Sequence, residues 1–398
     1  MNKYNVLFIN GSKAFSGAIK SLSVNIEGLG DLINPTVLCA KGASSRFLKN
    51  YKCEVVECPG LAKFDNTEHG YYRKKRWLII AREFYYIPST IFFAFKLRRK
   101  KIDIIHVNEV TDLISGVICK QFLKKPLVVH VRSRQNVRNG IAVKFQKKLL
   151  ERYADRIVSI DRTVLNTLSA KNCHVVYNSL NLKESICRGR ETFYPNGSDR
   201  LRVGFVANLM KDKGIYEFID AAITLKKDKV PCELVIYGGN LHSGDGMLGY
   251  RLLKGLGYIK DVRKEVLQRL RHNGLEEIVE FKGFCESLTE IYSNIDVVCF
   301  PSHLDAVGRP VIEGALCGIP SIVAFRSPPE EDTFINDHTG LAVREGDAVG
   351  LAGAIKNYAL NPQKIYQHGL QARALARSNF NPEVNAKKIL NIYSELMK

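Results

Sequence analysis

The sequence has few cysteines, and their spacing is not that of a metal-binding site. Its ten cysteines include no C-x-x-C pair, and several lie inside apolar runs, as Cys299 does in Val297–Phe300. We interpret them as small buried side chains of a protein in a reducing cytosol, with neither a disulfide framework nor a zinc site. The apolar run Val6–Ile9 near the N-terminus is too short for a signal peptide and predicts a first buried strand.

Acidic residues are also scarce, at 40 against 59 lysines and arginines, which leaves a formal charge of +19. Nearly all of the excess lies in two stretches. Residues 73–101 contain ten basic residues and one acid, and residues 120–148 contain nine basic residues and no acid. Such charge faces a polyanion, which can be nucleic acid, an anionic membrane surface or a phosphate-bearing substrate. No recognisable nucleic-acid-binding module is present, so we expect no nucleic-acid partner.

The first basic stretch encloses the apolar, aromatic-rich run Trp77–Leu97. Arg82, Glu83 and Pro88 interrupt this run, which argues against a transmembrane helix. Aromatic residues flanked by lysines and arginines are typical of a segment that lies at an anionic membrane surface. A buried helix with solvated basic ends is the alternative interpretation.

The chain has no internal repeat and no low-complexity tract, and its 398 residues exceed what one hydrophobic core usually supports. Short apolar runs alternate with amphipathic stretches, which predicts an α/β protein with two doubly wound, Rossmann-like parallel sheets. The polar segment 188–200 indicates the boundary. We predict an N-terminal domain over 1–190, a C-terminal domain over 200–380, and a final helix over 381–398 that packs back toward the first domain. The predicted strands are Val6–Ile9, Thr36–Cys39, Ile102–Val107, Leu127–Val131, Arg156–Ile160, Val175–Tyr177, Arg202–Val206, Glu233–Tyr237, Val279–Lys282, Val297–Phe300, Ser321–Val323 and Leu341–Val343.

The loop after Phe300 carries the most informative residues. Pro310 indicates a helix start, because proline at the first helical position loses no intrahelical hydrogen bond. The amides of Gly308 and Arg309 would then lie just before a helix N-terminus, which suits a phosphate. Glu313, about one turn into that helix, can accept a pair of hydroxyl hydrogen bonds, as acids do with ribose. A first-turn glutamate that complements the helix dipole is the plainer alternative.

This region resembles the donor site of the retaining glycosyltransferases of family 4. The resemblance rests on Asp305-x7-Glu313, with Pro301-Ser302 before it and Gly318-Ile-Pro320 after it. Further passages match in order, at residues 204–214, 279–284, 288–302 and 337–343. The family has the GT-B fold, so the resemblance implies two Rossmann-like domains that face each other across a cleft. It further implies that the N-terminal domain, 1–190, binds the acceptor and that the C-terminal domain, 200–380, binds the nucleotide-sugar donor.

The resemblance implies a role for each matching residue. Glu313 would hold the ribose of a nucleotide-sugar donor, and Lys213 would neutralise the donor diphosphate together with the Gly308 and Arg309 amides. Asp305 takes the place of the acid near the donor sugar, with a shorter side chain.

One further departure from the family pattern and one loop also bear on the predicted donor site. Asn208 stands where the family usually has arginine, so a diphosphate cation is missing unless Arg309 or Arg326 replaces it. The loop Gly11–Gly17 occupies the place of the family's glycine loop, which approaches the donor phosphates. A tight turn between strand and helix explains that loop equally well.

Arg132 lies where family members often carry a functional histidine, and His130 precedes it by two residues on the same strand face. A guanidinium binds oxyanions bidentately, so Arg132 can meet the donor phosphate or an anionic acceptor. Pairing with a nearby carboxylate is the alternative. His106, at another strand end, is interpreted as structural.

We therefore predict a metal-independent glycosyltransferase without a separate cofactor, peripheral on the cytoplasmic face of the membrane. It would transfer a sugar from a UDP- or GDP-linked donor to a lipid-linked or polysaccharide acceptor, with retention of configuration. The predicted catalytic residues are Asp305, Arg132 and Lys213, and the predicted donor-binding residues are Gly17, Asn208, Lys213, Gly308, Arg309 and Glu313. A nucleotide-sugar epimerase of the same fold, or a catalytically weak carbohydrate- or nucleotide-binding protein, is the alternative.

Overall fold

The structure is a computed structural model that describes residues 3–68, 84–137, 140–168, 170–180, 200–239 and 261–398. Contacts divide the chain into two compact units. Unit 1 comprises Met1–Asn181 and Asn379–Lys398, and unit 2 comprises Leu182–Ser378. Most of the predicted boundary segment, residues 188–199, and the first part of the predicted membrane segment, residues 77–83, lie outside the described residues.

Strands and helices alternate along the described chain. The strands are β1 Tyr4–Asn10, β2 Ile33–Ala40, β3 Glu54–Cys58, β4 Ile104–Val107, β5 Leu127–Val131, β6 Arg156–Ser159, β7 Cys173–Val175, β8 Leu201–Val206, β9 Cys232–Tyr237, β10 Val279–Gly283, β11 Val297–Phe300, β12 Ser321–Phe325 and β13 Gly340–Arg344. The helices are α1 Gly17–Leu29, α2 Ala43–Leu48, α3 Ile87–Leu97, α4 Leu113–Leu123, α5 Ile141–Tyr153, α6 Arg162–Leu165, α7 Ile215–Lys227, α8 Val262–His272, α9 Leu288–Ser293, α10 Arg309–Leu316, α11 Ala348–Leu360, α12 Pro362–Asn379 and α13 Pro382–Leu396.

Unit 1 contains one parallel sheet with the strand order β3-β2-β1-β4-β5-β6-β7. Both faces of the sheet are buried, because successive side chains of a strand point to opposite faces. On β1, Leu7 and Ile9 enter the core formed with α3, α4 and α5, whereas Val6 and Phe8 enter the core formed with α1 and α13. The C-terminal helix α13 is therefore part of the core of unit 1.

Unit 2 contains a second parallel sheet, with the order β10-β9-β8-β11-β12-β13. Strand β8 has β9 on one side and β11 on the other, as β1 has β2 and β4 in unit 1. Each sheet therefore reverses its strand order beside its first strand, and ligands of doubly wound sheets bind at the carboxyl ends of strands around this point.

The structure confirms the predicted fold class of two Rossmann-like, parallel sheets. The prediction missed β3, an edge strand whose pattern includes Glu54 and Glu57 and whose side chains are mostly half-buried. It also placed the strand of residues 175–177 two residues too late, since β7 is Cys173–Val175 and its side chains are only half-buried. Edge strands lack the continuous apolar run by which the central strands were identified.

A membrane-spanning segment was sought among the helices. Within the described ranges, none combines the length and the hydrophobicity that crossing a bilayer requires.

Candidate active site

In unit 2 the loop after β8 is joined to the loop after β11, which we call the donor loop and define as residues 301–308. Gly214 has φ of +77°, and a Cβ there would lie 1.9 Å from the carbonyl oxygen of Pro301, so only glycine fits. The Asp212 carbonyl accepts hydrogen bonds from the Ser302 hydroxyl at 3.1 Å and from the His303 amide at 3.0 Å. These contacts fix Lys213 beside the donor loop.

Lys213 is a half-buried cation above an aromatic ring. Its Nζ lies 5.5 Å from the centre of the Phe300 ring. Burial lowers the pKa of Lys213, and the neighbouring Asp212 opposes that shift. A partly desolvated ammonium group interacts more strongly with an anion than a fully solvated one does, so this position suits a diphosphate.

Gly308 lies against the same ring, at the N-terminus of α10. A Cβ on Gly308 would lie 2.2 Å from Cζ of Phe300, so the ring requires glycine there. Helix α10 begins at Arg309, with Pro310 in its first turn, one residue earlier than the sequence prediction. Lys213 and the positive end of α10 therefore both border Phe300.

Glu313 is buried and held at both carboxylate oxygens. Its Oε2 accepts a 2.7 Å hydrogen bond from the Tyr292 hydroxyl, and its Oε1 accepts one from Arg309 Nε at 2.7 Å. Burial and then the Glu313 charge raise the pKa of Tyr292 well above its usual value, so the phenol keeps its proton and donates. Each carboxylate oxygen has a further lone pair, which leaves Glu313 able to accept from ligand hydroxyls.

Asp305 is buried in the donor loop with φ of +47°. Its Oδ1 accepts a 2.9 Å hydrogen bond from the Arg326 amide. Arg326 in turn bonds Glu345 Oε2 at 2.5 Å and the His303 carbonyl at 2.8 Å. His303 lies 3.0 Å from Glu217 Oε1 and 3.6 Å from Glu345 Oε1. The loops after β11, β12 and β13 are thereby linked by charged side chains.

Asn208 is exposed, at the position where the resemblance led us to expect an arginine. Both arginines that could replace that charge have partners within the chain, Arg309 in Glu313 and Arg326 in Glu345. Lys213, which lies over the Phe300 ring, forms no such ion pair with Glu313 or Glu345.

In unit 1, Arg132 follows β5 and is bound by amide oxygens rather than carboxylates. Its Nε donates to the Asn108 carbonyl at 2.9 Å, its Nη2 donates to Asn108 Oδ1 at 3.0 Å, and its Nη1 donates to Asn178 Oδ1. The nearby Glu109 accepts at 3.3 Å from the Arg132 backbone amide. The guanidinium therefore remains a net positive charge with a fixed orientation.

Burial perturbs both charged groups of this region. It lowers the pKa of Arg132 to about 10, against the opposing charge of Glu109. It raises the pKa of Glu109 to about 7, against hydrogen bonds and charge from Arg132. Near neutral pH, Arg132 is thus charged while Glu109 titrates beside it.

In the glycine loop after β1, the residue whose backbone lies close to another side chain is Gly11. The Gly11 amide donates to Asp112 Oδ2 at 2.7 Å, and a Cβ there would lie 2.3 Å from Asp112 Oδ1. Lys63 Nζ lies 3.7 Å from the same Oδ1. Gly17, the predicted binding residue, is the exposed first residue of α1, and a Cβ there would meet nothing within 4 Å. The structure thus gives Gly11, and not Gly17, a steric requirement for glycine.

Several neighbours of the predicted residues were missed by the sequence analysis. Tyr292 and Tyr393 occupy apolar positions of helices, where a hydroxyl partner leaves no trace in the sequence. Asn178 and Asn108 reach Arg132 from other loops. Within the part of the chain that the structure describes, no group of three or more His, Cys, Asp or Glu side chains is placed to hold a metal ion.

Two family models match the chain. Residues 192–374 match the model described as glycosyl transferases group 1, and residues 44–184 match glycosyltransferase family 4. The first range lies in unit 2, and the second lies almost entirely in unit 1.

Curated relatives are distant. The capsular polysaccharide biosynthesis glycosyltransferase CapM of Staphylococcus aureus is 21% identical over 209 residues, which span 52% of this chain and half the length of that protein. The 2-deoxystreptamine N-acetyl-D-glucosaminyltransferase of Niallia circulans is 22% identical over 321 residues, which span 75% of this chain and 77% of that protein.

Solved structures share the fold over nearly the whole chain. The Anabaena HepE protein in complex with UDP has a TM-score of 0.73 at 20% identity, covering 98% of this chain and all of that one. The same protein in complex with UDP-glucose has a TM-score of 0.72, covering 98% of this chain and 99% of that one. At this level of identity the similarity shows the fold alone.

Proposed function

This chain is a glycosyltransferase of the group 1, family 4 class, and on that premise we propose that it transfers a sugar from a nucleotide diphosphate sugar, with retention of anomeric configuration, to a lipid-linked or polysaccharide acceptor. We further propose that the transfer takes place at the cytoplasmic face of the membrane and needs no metal ion. The alternatives are an epimerase, and a weakly active binding protein that would bind the donor in the experiment below without transferring its sugar to any acceptor.

The observation that carries the proposal is the convergence of Glu313, Gly308 and Lys213 at the carboxyl ends of β8 and β11. The buried carboxylate of Glu313, which Tyr292 holds, suits a ribose. The N-terminus of α10 and the half-buried ammonium of Lys213 suit a diphosphate. The HepE protein is crystallised with UDP and with UDP-glucose, which supports a UDP-linked donor here, and a GDP-linked donor is the other candidate.

Catalysis in this proposal consists mainly of stabilising the leaving group. Cleavage of the bond between sugar and diphosphate places negative charge on the departing oxygen, and Lys213 with the Gly308 and Arg309 amides would stabilise it. Fixed donors of this kind need no reorganisation during the reaction. Arg132, held rigidly in unit 1, would bind an oxyanion of a substrate. Asp305 would stabilise the donor loop and would lie near the donor sugar.

The acceptor side of the proposal rests on the surface of α3. Thr90, Ala94 and Leu97 bury one face of this helix at helical spacing, whereas Phe92 and Phe95 expose 62% and 56% of their surface. Exposed large apolar side chains on a helix are typical of insertion into a membrane interface.

Basic residues flank this apolar surface. Arg98, Arg99 and Lys101 are exposed directly after α3. Helix α5 repeats the combination, with exposed Ile141 and Phe145 among exposed lysines. Aromatic side chains at headgroup depth, with cations toward anionic lipid, support a peripheral membrane enzyme that acts on a lipid-linked acceptor.

The activity is tested with the purified full chain, UDP-, GDP- and ADP-linked sugars, and extracted membrane glycolipids as acceptors. We expect transfer from one nucleotide class, with a product whose anomeric configuration by NMR matches that of the donor. Glu313→Gln should lower kcat/KM for the donor about 10- to 100-fold, since it weakens hydrogen bonds to a buried charge. The matched control is Glu276→Gln, an exposed acid in the same unit.

Three results would contradict the proposal. Inverted product would reject retention, and an epimerised nucleotide sugar formed without any acceptor would favour the epimerase. Transfer that is equal in Glu313→Gln and Glu276→Gln would remove the donor site from this position.

A further inference from the structure

The interior of unit 1 contains a chain of hydrogen bonds that ends at Arg132. The Tyr393 hydroxyl of α13 lies 2.5 Å from His106 Nδ1, and His106 Nε2 lies 3.3 Å from His130 Nδ1. His130 Nδ1 in turn lies 3.4 Å from Arg132 Nη2. Tyr393, His106 and His130 are all at most 2% exposed, so no solvent enters this chain.

Chemistry fixes the direction of every proton in it. A guanidinium can only donate, so His130 Nδ1 must be an acceptor, and the neutral ring then carries its proton on Nε2. His106 Nε2 faces the same Nδ1 and must therefore donate to it. His106 Nδ1 is left without a proton and accepts from the Tyr393 hydroxyl. The two contacts at Nδ1 of His130 are both long, as expected for two donors that share one lone pair.

Burial keeps both histidines neutral. Burial and then the Arg132 charge lower the pKa of His106 to about 3 and that of His130 well below its usual value. The reverse arrangement, with a proton on His130 Nδ1, would direct an N–H at the donors of Arg132. The contact with Arg132 therefore favours the order in which His130 Nδ1 accepts, and this order leaves the His130 Nε2 proton without a hydrogen-bond partner among the described residues.

We propose that Tyr393 of the C-terminal helix is a positioning residue for Arg132, which it orients through the hydrogen-bond chain His106–His130. This inference rests on the proposed function, in which Arg132 binds a substrate oxyanion. By donating to His106 Nδ1, the Tyr393 hydroxyl stabilises the tautomer in which His106 Nε2 donates to His130, and this tautomer keeps His130 Nδ1 an acceptor for Arg132 Nη2. The guanidinium thereby gains a third point of attachment besides Asn108 and Asn178.

The C-terminal helix is well anchored for this role. Ile389 and Ile392 are buried in the core of unit 1, and the Tyr4 hydroxyl lies 3.2 Å from Ser394 Oγ. The Tyr4 and Tyr393 rings also pack edge to face, with centroids 6.4 Å apart. Tyr4 thus provides a matched control, because its phenol hydroxyl contacts the same helix at Ser394 but lies outside the hydrogen-bond chain.

The experiment compares Tyr393→Phe with Tyr4→Phe in the full chain. Each substitution removes one hydroxyl and keeps the ring. We expect Tyr393→Phe to lower kcat about tenfold with little change in the donor KM, and Tyr4→Phe to change kcat by less than about twofold. In an Arg132→Lys background, Tyr393→Phe should have no further effect on kcat, because the group that it orients is gone. Equal effects of the two tyrosine variants, or effects of Tyr393→Phe and Arg132→Lys that simply add, would overturn the proposal.

A second measurement does not depend on activity. In the full chain with nitrogen-15 labelled histidine, NMR should show both His106 and His130 protonated at Nε2, and Tyr393→Phe should alter the His106 resonances while Tyr4→Phe leaves them unchanged. A proton on Nδ1 of His130 in the wild type would reject the proton order. If Arg132→Lys leaves transfer unchanged, the proposed function of Arg132 fails, and the tautomers still decide whether the hydrogen-bond chain exists.

Discussion

The Tyr292 hydroxyl donates a 2.7 Å hydrogen bond to Oε2 of Glu313, and both groups are buried in unit 2. The carboxylate belongs to α10 and the phenol to α9, so this contact joins the helix after the donor loop to the helix that precedes β11. A buried carboxylate without such donors would be costly to keep charged. Tyr292 therefore helps to orient the Glu313 carboxylate for a ligand.

Tyr292→Phe tests this relationship. It removes the hydroxyl and retains the ring, so we expect the donor KM to rise about three- to tenfold with a smaller change in kcat, because only part of the roughly 1.5–3 kcal/mol that a hydrogen bond to a charged group contributes is lost from donor binding. Donor titration and steady-state kinetics measure the effect. Tyr358→Phe is the control, since Tyr358 is also buried in unit 2 and bonds His368 Nδ1 at 2.9 Å. Equal loss of donor affinity in both variants would reduce the Tyr292 contact to a general effect on stability.

Gly308→Ala tests the contact between the donor loop and Phe300. The added methyl would lie 2.2 Å from the ring, so the loop or the ring must move. We expect a loss of about 1–3 kcal/mol of stability together with weaker donor binding. Gly353→Ala is the control, because Gly353 lies within α11 with open space around it, and alanine there should stabilise the helix by up to about 1 kcal/mol. Thermal unfolding and donor titration compare the two, and normal donor binding in Gly308→Ala would show that the loop adapts.

A pH-dependent effect on stability is expected from Glu109. Its pKa is raised from its ordinary value of 4.5 to about 7, chiefly by burial. Between those values the folded chain holds a proton that the unfolded chain has lost, so this residue's contribution to stability falls as the pH rises from about 4.5 through 7. Glu109→Gln removes the titration and should therefore raise the free energy of unfolding at pH 8 by about 1–3 kcal/mol, with little effect near pH 4.

Unfolding of the wild type and of Glu109→Gln at both pH values checks this sign. Glu27→Gln, which removes an exposed acid of α1, is the matched control. A Glu109→Gln variant that is less stable than the wild type at pH 8 would mean that the hydrogen bond from the Arg132 amide outweighs the burial of charge.

The sequence predicts the fold better than it predicts the partners of each side chain. Alternating apolar runs predict the buried central strands, because a strand covered on both faces needs an unbroken apolar run. The order of residues around Glu313 similarly places it one turn into a helix. Asn178 and Tyr393 could not be predicted in the same way. They reach Arg132 and His106 from positions 46 and 287 residues away, and such pairings follow from tertiary packing that no local pattern records.

The membrane proposal makes the last prediction, which separates charge from hydrophobic contact. Replacing Arg98, Arg99 and Lys101 by glutamate should reduce binding to vesicles with about 30% phosphatidylglycerol by at least a hundredfold, since each basic residue near the surface contributes about 1 kcal/mol. Phe92→Ser with Phe95→Ser should weaken binding to the same vesicles and leave its salt dependence unchanged, because insertion of apolar surface is not screened by salt.

Matched controls lie in unit 2. Lys227, Lys264 and Arg271 are exposed there and can be replaced by glutamate with the same change of net charge, and Leu360 and Leu370 are exposed apolar residues for replacement by serine. Co-sedimentation measures all four variants. If the unit 2 charge variant loses as much binding as the variant next to α3, net charge alone explains the attraction. If neither the α3 charge variant nor the phenylalanine variant loses binding, the surface of α3 does not dock on lipid, and its exposed aromatic residues need another partner.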